Sequence, residues 1–191
     1  MVGNNECLVR SLNRIGALRK VCKVARFRNN KMIADGILMS KLVYLIPLSG
    51  ACKKSLLKSL QTLQTKAARV VTKLDGNSLT TLILQQCGLL SLNQLSVYQT
   101  VILAYKVKQV KTPKYLYIKF NTNYKYKTRQ ITYGLMMCTR TPELYIALDS
   151  FCWQATELCN NLPVKIRNKK TLMQFRTSVK SWVKQNIGIT L

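Results

Sequence analysis

Between Lys53 and Leu74 the chain reads KKSLLKSLQTLQTKAARVVTKL, and its apolar positions return at helical spacing. At about 100° per residue, Leu56, Leu57, Leu60, Leu63, Ala67, Val70, Val71 and Leu74 share one side of a helix. Lys54, Lys58, Lys66, Arg69 and Lys73 share the other, with no acid among them. Upstream, Leu8, Leu12, Ile15, Leu18, Cys22 and Ala25 predict a helix over 6–25. Arg26-Phe-Arg28-Asn-Asn reads as a turn, with Asn29 or Asn30 capping a mostly apolar helix from Lys31 to Ile46 that Pro47 stops.

Asp75-Gly76-Asn77 breaks this pattern, and from Gly76 to Tyr105 no residue is charged, which predicts an interior segment. A short helix over Leu79–Cys87 ends at Gly88, a left-handed cap, and Ser91 caps a longer helix over Leu92–Val110. That helix is apolar almost all round, so it is predicted to be central. After the short segment Lys114–Phe120, residues 131–148 are the plausible strands, one small hairpin. Ser150 caps a helix carrying Phe151, Ala155, Leu158 and Leu162 on one face. Thr171 caps the last helix, with Leu172, Phe175, Val179, Trp182 and Val183 inward and Arg176, Lys180 and Lys184 outward. The expected fold is mainly α: a helical bundle with basic outer faces, a small β-hairpin and two C-terminal helices. Its expected divisions are 1–75, 76–120 and 121–191.

Charge changes the picture more than any other property. The 191 residues hold 31 Lys and Arg against 6 Asp and Glu, a formal +25, while apolar content is an ordinary 48%. A core is affordable at this length, but so one-sided a charge repels itself unless a polyanion or counterions neutralise it. Nucleic acid is the commonest such partner, and an anionic membrane surface the next. The chain has no histidine, and its six acids are scattered, so no catalytic base, paired-carboxylate site or metal site is expected, and no cofactor. The seven cysteines include no CxxC and read as buried, reduced thiols of an intracellular protein, in nucleus or cytoplasm. Asn4, Asn5 and Glu6 sit where a secretory signal would be apolar, and the apolar run Leu42–Leu48 is far too short to span a bilayer.

The candidate nucleic-acid contacts are Arg19, Lys20 and Lys23 on the first helix and Lys54, Lys58, Lys66, Arg69 and Lys73 on the opening stretch. Such a basic face is satisfied by water or by a polyanion. Tyr124, Lys125, Tyr126, Lys127 and Arg129 alternate in the loop 121–130. There, tyrosines either stack on bases beside phosphate-tracking cations or simply pin the loop to the body.

The stretch SFCWQATELCNNLPVKIR (150–167), followed by LMQF (172–175) and KSW (180–182), resembles the tail of non-LTR, LINE-like retrotransposon reverse transcriptases. LRKVCKVA (18–25), KMIADG (31–36), SKLVYLIP (40–47), LQTKAARV (63–70), QCG (86–88) and YKTRQ (126–130) are similar to the segment that follows the palm in jockey-type elements. The resemblance covers essentially the whole chain. It departs at Gln154, where the family pattern has arginine, and at Ser49 and Cys159, where it has tryptophan.

The resemblance implies the thumb and the region after it. The palm, with the aspartates that hold the catalytic metals, is expected before residue 1. Thumb helices grip the template–primer duplex by its backbone, so the expected partners are RNA or an RNA–DNA hybrid, together with the missing palm and fingers. No catalytic residue is expected in this chain, which would be a truncated part of an RNA-directed DNA polymerase. The alternatives are a basic helical protein acting on anionic membrane or in mitochondria, and a translated pseudogene without function.

Overall fold

The protein is represented by a computed structural model that describes residues 13, 15–24, 26–40, 54–74, 78–120 and 151–186. Those residues are mainly helical, in agreement with the expected fold class. In chain order the helices are α1 (residues 15–24), α2 (Phe27–Ala34), α3 (Lys54–Thr72), α4 (Thr80–Gln86), α5 (Leu92–Val110), α6 (Lys114–Phe120), α7 (Phe151–Asn161), α8 (Val164–Arg167) and α9 (Leu172–Asn186). The predicted hairpin over 131–148, the loop 121–130 and the Ser150 cap lie outside the described residues. The chain divides into two compact units. The first comprises Met1–Ile46, Cys52–Leu95 and Ile189–Leu191; the second comprises Pro47–Ala51 and Ser96–Gly188. Residues 76–120 are thus shared between the units, 76–95 with the first and 96–120 with the second.

In the first unit α3 packs against α2 and against α4. Leu60, Leu63, Ala67, Ala68 and Val71 meet Ile15, Leu18 and Cys22 of α1, Ala34 of α2, and Ile83 and Leu84 of α4 in one core. The buried side of α3 is wider than its apolar positions suggest, because Gln61, Gln64 and Thr65 are also inside. These amides form a relay. Gln61 Nε2 donates to Gln64 Oε1 at 2.9 Å, Gln64 Nε2 donates to the Leu90 carbonyl at 2.8 Å, and Gln61 Oε1 accepts the Leu92 N–H at 2.8 Å. A buried amide is stable only when so paired. This one binds the turn before α5 to the middle of α3.

The caps around that turn match their sequence signals. Gly88 takes φ +65°, the Gly88 N–H donates to Gln85 O and the Leu89 N–H to Leu84 O, which together close α4 as a Schellman motif. A Cβ on Gly88 would stand 3.4 Å from Lys31 Nζ, the movable end of a long side chain, so it is the left-handed backbone that favours glycine. Ser91 Oγ accepts the Gln94 N–H while Gln94 Oε1 accepts the Ser91 N–H, a reciprocal capping box on α5.

The second helix departs from expectation. Asn29 and Asn30 do not cap it: it begins at Phe27 with Arg26 as the N-cap residue, and its regular part ends at Ala34 before a π-helical turn over Asp35–Met39. Asn30 is wholly buried inside the helix, and its Nδ2 donates to the Cys22 carbonyl at 3.4 Å. The side chain serves the open end of α1, and tertiary contact outweighs its local capping preference. Lys73 likewise leaves the predicted helix. It adopts φ 58° just past α3 and its N–H closes the last turn onto Arg69 O at 2.9 Å.

The second unit is built on α5, α7 and α9. Val101, Ile102, Ala104 and Tyr105 pack with Ala155, Cys159, Leu162, Phe175, Val179 and Val183. The inward face predicted for the last helix is present, with Leu172 and Trp182 at its margin, and Thr171 Oγ1 accepts the Gln174 N–H at 3.4 Å as the cap. Cys22, Cys87, Cys152 and Cys159 are buried free thiols. Burial pushes the thiols of Cys22 and Cys87 up and that of Cys159 to about 12, against the smaller opposing pull of Lys108 and Arg167 on Cys159.

Gln64→Ala should cost about 2–4 kcal/mol in urea denaturation, because it strands the Leu90 carbonyl and one amide of Gln61. The exposed Gln85→Ala should stay within about 0.5 kcal/mol. The folded state keeps its Cys159 proton at pH values where the unfolded chain has lost it. Stability should therefore be full below pH 9.0 and fall as pH rises towards about 12. Denaturation measured across that window should show a slope shallower by about one proton in Cys159→Ala.

Candidate nucleic-acid interface

The outward side of α3 is a strip of residues three and four apart: Lys58, Thr62, Lys66, Arg69 and then Lys73 beyond the helix end. Lys58, Lys66 and Lys73 are exposed and Arg69 is half-buried; the side chain of Lys54 lies outside the described residues. At 1.5 Å rise per residue, Lys58 and Lys66 are about 12 Å apart along the axis, and Lys66 and Arg69 about 4.5 Å. The strip stands out because the buried arc of α3 also takes Gln61, Gln64 and Thr65, leaving Lys58, Ser59, Thr62 and Lys66 as the exposed positions of the helix among the described residues.

Arg69 is the member held most closely. Its Nη2 donates to the Ser78 carbonyl at 3.4 Å, while Nε is buried without a hydrogen-bond partner. It ties the end of α3 to the segment leading into α4, so one face of its guanidinium is committed to the fold. Thr62 Oγ1 donates to the Lys58 carbonyl at 3.0 Å, which keeps the strip's one neutral position short and turned along the helix.

On α1, Arg19, Lys20 and Lys23 are all exposed, while Ile15, Leu18 and Cys22 are buried against the core shared with α3. Lys73 acts electrostatically on the Cys22 thiol, lowering its pKa against the larger effect of burial. The end of the α3 strip is therefore within electrostatic reach of α1. Arg26 and Arg28, not singled out in the sequence, are also exposed at the start of α2. Their charge is plain in the sequence Arg26-Phe-Arg28, but the local pattern there is that of a turn and carries no helical period. Tyr124, Lys125, Tyr126, Lys127 and Arg129 lie outside the described residues.

The acids among the described residues are Asp35 and Glu157, so most of these cations can have no protein counterion there. Among the described residues no group of three His, Cys, Asp or Glu side chains comes together to hold a metal ion, and no helix is long and apolar enough to cross a membrane. What the first unit offers chemically is a set of solvated point charges on rigid helices. Such a set attracts an extended polyanion and makes few demands on its sequence.

Comparison with protein-family models, with curated proteins and with solved structures gives no match to this chain.

Because the strip repels itself, raising NaCl from about 20 to about 200 mM should raise the thermal midpoint of the wild-type protein by screening. The triple variant Lys58→Gln, Lys66→Gln, Lys73→Gln should show a smaller rise, with stability at low salt equal to or above wild type.

Proposed function

We propose that the chain binds RNA or an RNA–DNA hybrid through backbone phosphates, in the manner of the thumb and post-thumb region of a non-LTR retrotransposon reverse transcriptase. The observation that carries this reading is the exposed strip Lys58, Lys66 and Lys73, which belongs to the same compact unit as Arg19, Lys20 and Lys23. Cations presented from helices are held at fixed spacing, and each phosphate they neutralise releases condensed counterions, which supplies the binding free energy. Arg69 adds charge from a fixed position, and Lys125, Lys127 and Arg129 with Tyr124 and Tyr126 would extend the contact if their loop reaches the same strand. Phosphate contacts position the duplex and carry no sequence information.

In this reading the chain performs no chemistry itself. Palm and fingers supply the polymerase centre, and the protein works in the nucleus or cytoplasm wherever its template lies. Val24 is 92% exposed and Phe27 47% exposed beside the basic positions of α1 and α2, a place where a neighbouring polymerase segment would find apolar contact.

Fluorescence anisotropy with a labelled RNA–DNA hybrid tests the proposal. With roughly 6–10 phosphate contacts, affinity should fall about 10³–10⁵-fold between 50 and 200 mM salt. The Lys58, Lys66, Lys73 triple glutamine variant should lower the log–log salt slope by about 3. Changing Lys180 and Lys184 on α9 to glutamine should leave it close to wild type. A flat salt response, or a triple variant that binds like wild type, refutes the reading.

A further inference from the structure

The corner between α5 and α6, in the second unit, carries a surface that the proposed function does not use. Lys106, Val110, Lys111, Lys114, Tyr115 and Ile118 are all exposed there. Val110 is 67% exposed, and Tyr115 and Ile118 are each 65% exposed. The backbone beneath them is closed. The Lys111 N–H donates to the Val107 carbonyl at 2.9 Å, and the Pro113 carbonyl accepts the N–H groups of Leu116 and Tyr117, each at 3.1 Å. Helix α6 packs against α7, where Phe120 meets Phe151 edge-on at 6.1 Å between ring centres. Leu116, Tyr117 and Phe120 are half-buried, which leaves Lys114, Tyr115 and Ile118 on the outer side. Ile118 is three positions from Tyr115 and four from Lys114, so the three side chains are surface neighbours.

The charge around this surface has one sign. No acid occurs between Asp75 and Glu143. Lys111 Nζ lies 5.9 Å from the ring centre of Tyr117, a contact that holds the cation at the corner without neutralising it. An exposed phenol ring beside unneutralised cations suits an unpaired base: the base stacks on the ring while the phosphates on either side meet the lysines. A duplex makes no use of the ring, because its bases are stacked on one another and present only edges and backbone. A lipid surface calls for a broad apolar face, and α6 has already turned Leu116 and Phe120 towards its own unit. A second copy of the chain would set the same lysines against these.

We infer that the α5–α6 corner binds single-stranded nucleic acid, with Tyr115 as the stacking platform for one base and Lys111 and Lys114 as its phosphate contacts. The site lies within the second unit and does not depend on the reading of α1 and α3. It adds a demand that the α3 strip does not make, since its ligand must offer a free base as well as a charged backbone.

Fluorescence anisotropy of the full chain with two labelled oligomers tests the site. One is oligothymidine of about ten nucleotides, and the other is its abasic counterpart with the same number of phosphates. Wild type should bind oligothymidine about fivefold or more tightly than the abasic strand. Tyr115→Ala and Tyr115→Leu should both lose that preference, and Tyr115→Trp should keep it. Tyr115 lies outside the core, so these variants should retain the helical circular dichroism of wild type. Lys114→Gln should weaken both oligomers alike and lower the log–log salt slope by about 0.7. The Lys58, Lys66, Lys73 triple glutamine variant should leave the ratio between the two oligomers unchanged. Equal binding of both oligomers by wild type, or a preference that survives in Tyr115→Ala or Tyr115→Leu, overturns the inference. So does a Tyr115→Ala variant that loses flotation with phosphatidylserine vesicles yet keeps its preference for bases, which assigns the corner to lipid. A failure here leaves the salt-dependent binding of α3 untouched, and a failure of α3 leaves the base preference testable.

Discussion

A chain with 31 cations and 6 acids cannot build its interior from ion pairs, and neutral amides do the buried polar work instead. Gln61 and Gln64 join α3 to the turn at Leu90 and the first N–H of α5; Gln94 closes the capping box; Asn30 meets the carbonyl of Cys22. An amide brings both donor and acceptor without a desolvated charge, so it can be buried against apolar neighbours at a cost that its own hydrogen bonds offset. Were any of these positions cationic, the nearest counterion would be missing from most of the described chain. The fold depends on keeping charge out and amides in.

The outer faces follow from that division. Because α3 buries its glutamines along with its leucines and alanines, its exposed arc among the described residues is reduced to Lys58, Ser59, Thr62 and Lys66, with Lys73 just past the helix end. The helix ends are made of cations too: Lys73 and Lys111 both adopt positive φ directly after α3 and α5. Lysine there accepts a modest backbone strain while its charge faces the negative end of a helix dipole. Lys111 Nζ also lies 5.9 Å from the ring centre of Tyr117, where the π face takes the place of an acid.

Several elements were legible residue by residue. The bounds of α5, the caps at Gly88, Ser91 and Thr171, and the inward set Phe175, Val179 and Val183 all follow local rules: spacing, a left-handed glycine, a hydroxyl ahead of an apolar run. Asn29 and Asn30 misled because a capping preference is weak beside a buried partner, and the Cys22 carbonyl that claims Asn30 belongs to another helix. Of the basic positions proposed as contacts, Arg19, Lys20, Lys23, Lys58 and Lys66 are exposed on α1 and α3 because amphipathic period sorts charge outward. The half-burial of Arg69 could not be foreseen, since it turns on the Ser78 carbonyl.

By itself the sequence determined that this protein is mainly helical, where its principal helices run and which faces carry charge, because those properties depend on residues within a few positions of one another. Only the tertiary structure decided that Gln61 and Gln64 are interior and that the core divides within α5. Periodicity reports which way a side chain points from its own helix. It contains no information on which distant carbonyl, ring or cation waits there, and hydrogen bonding and charge energies are set by that meeting.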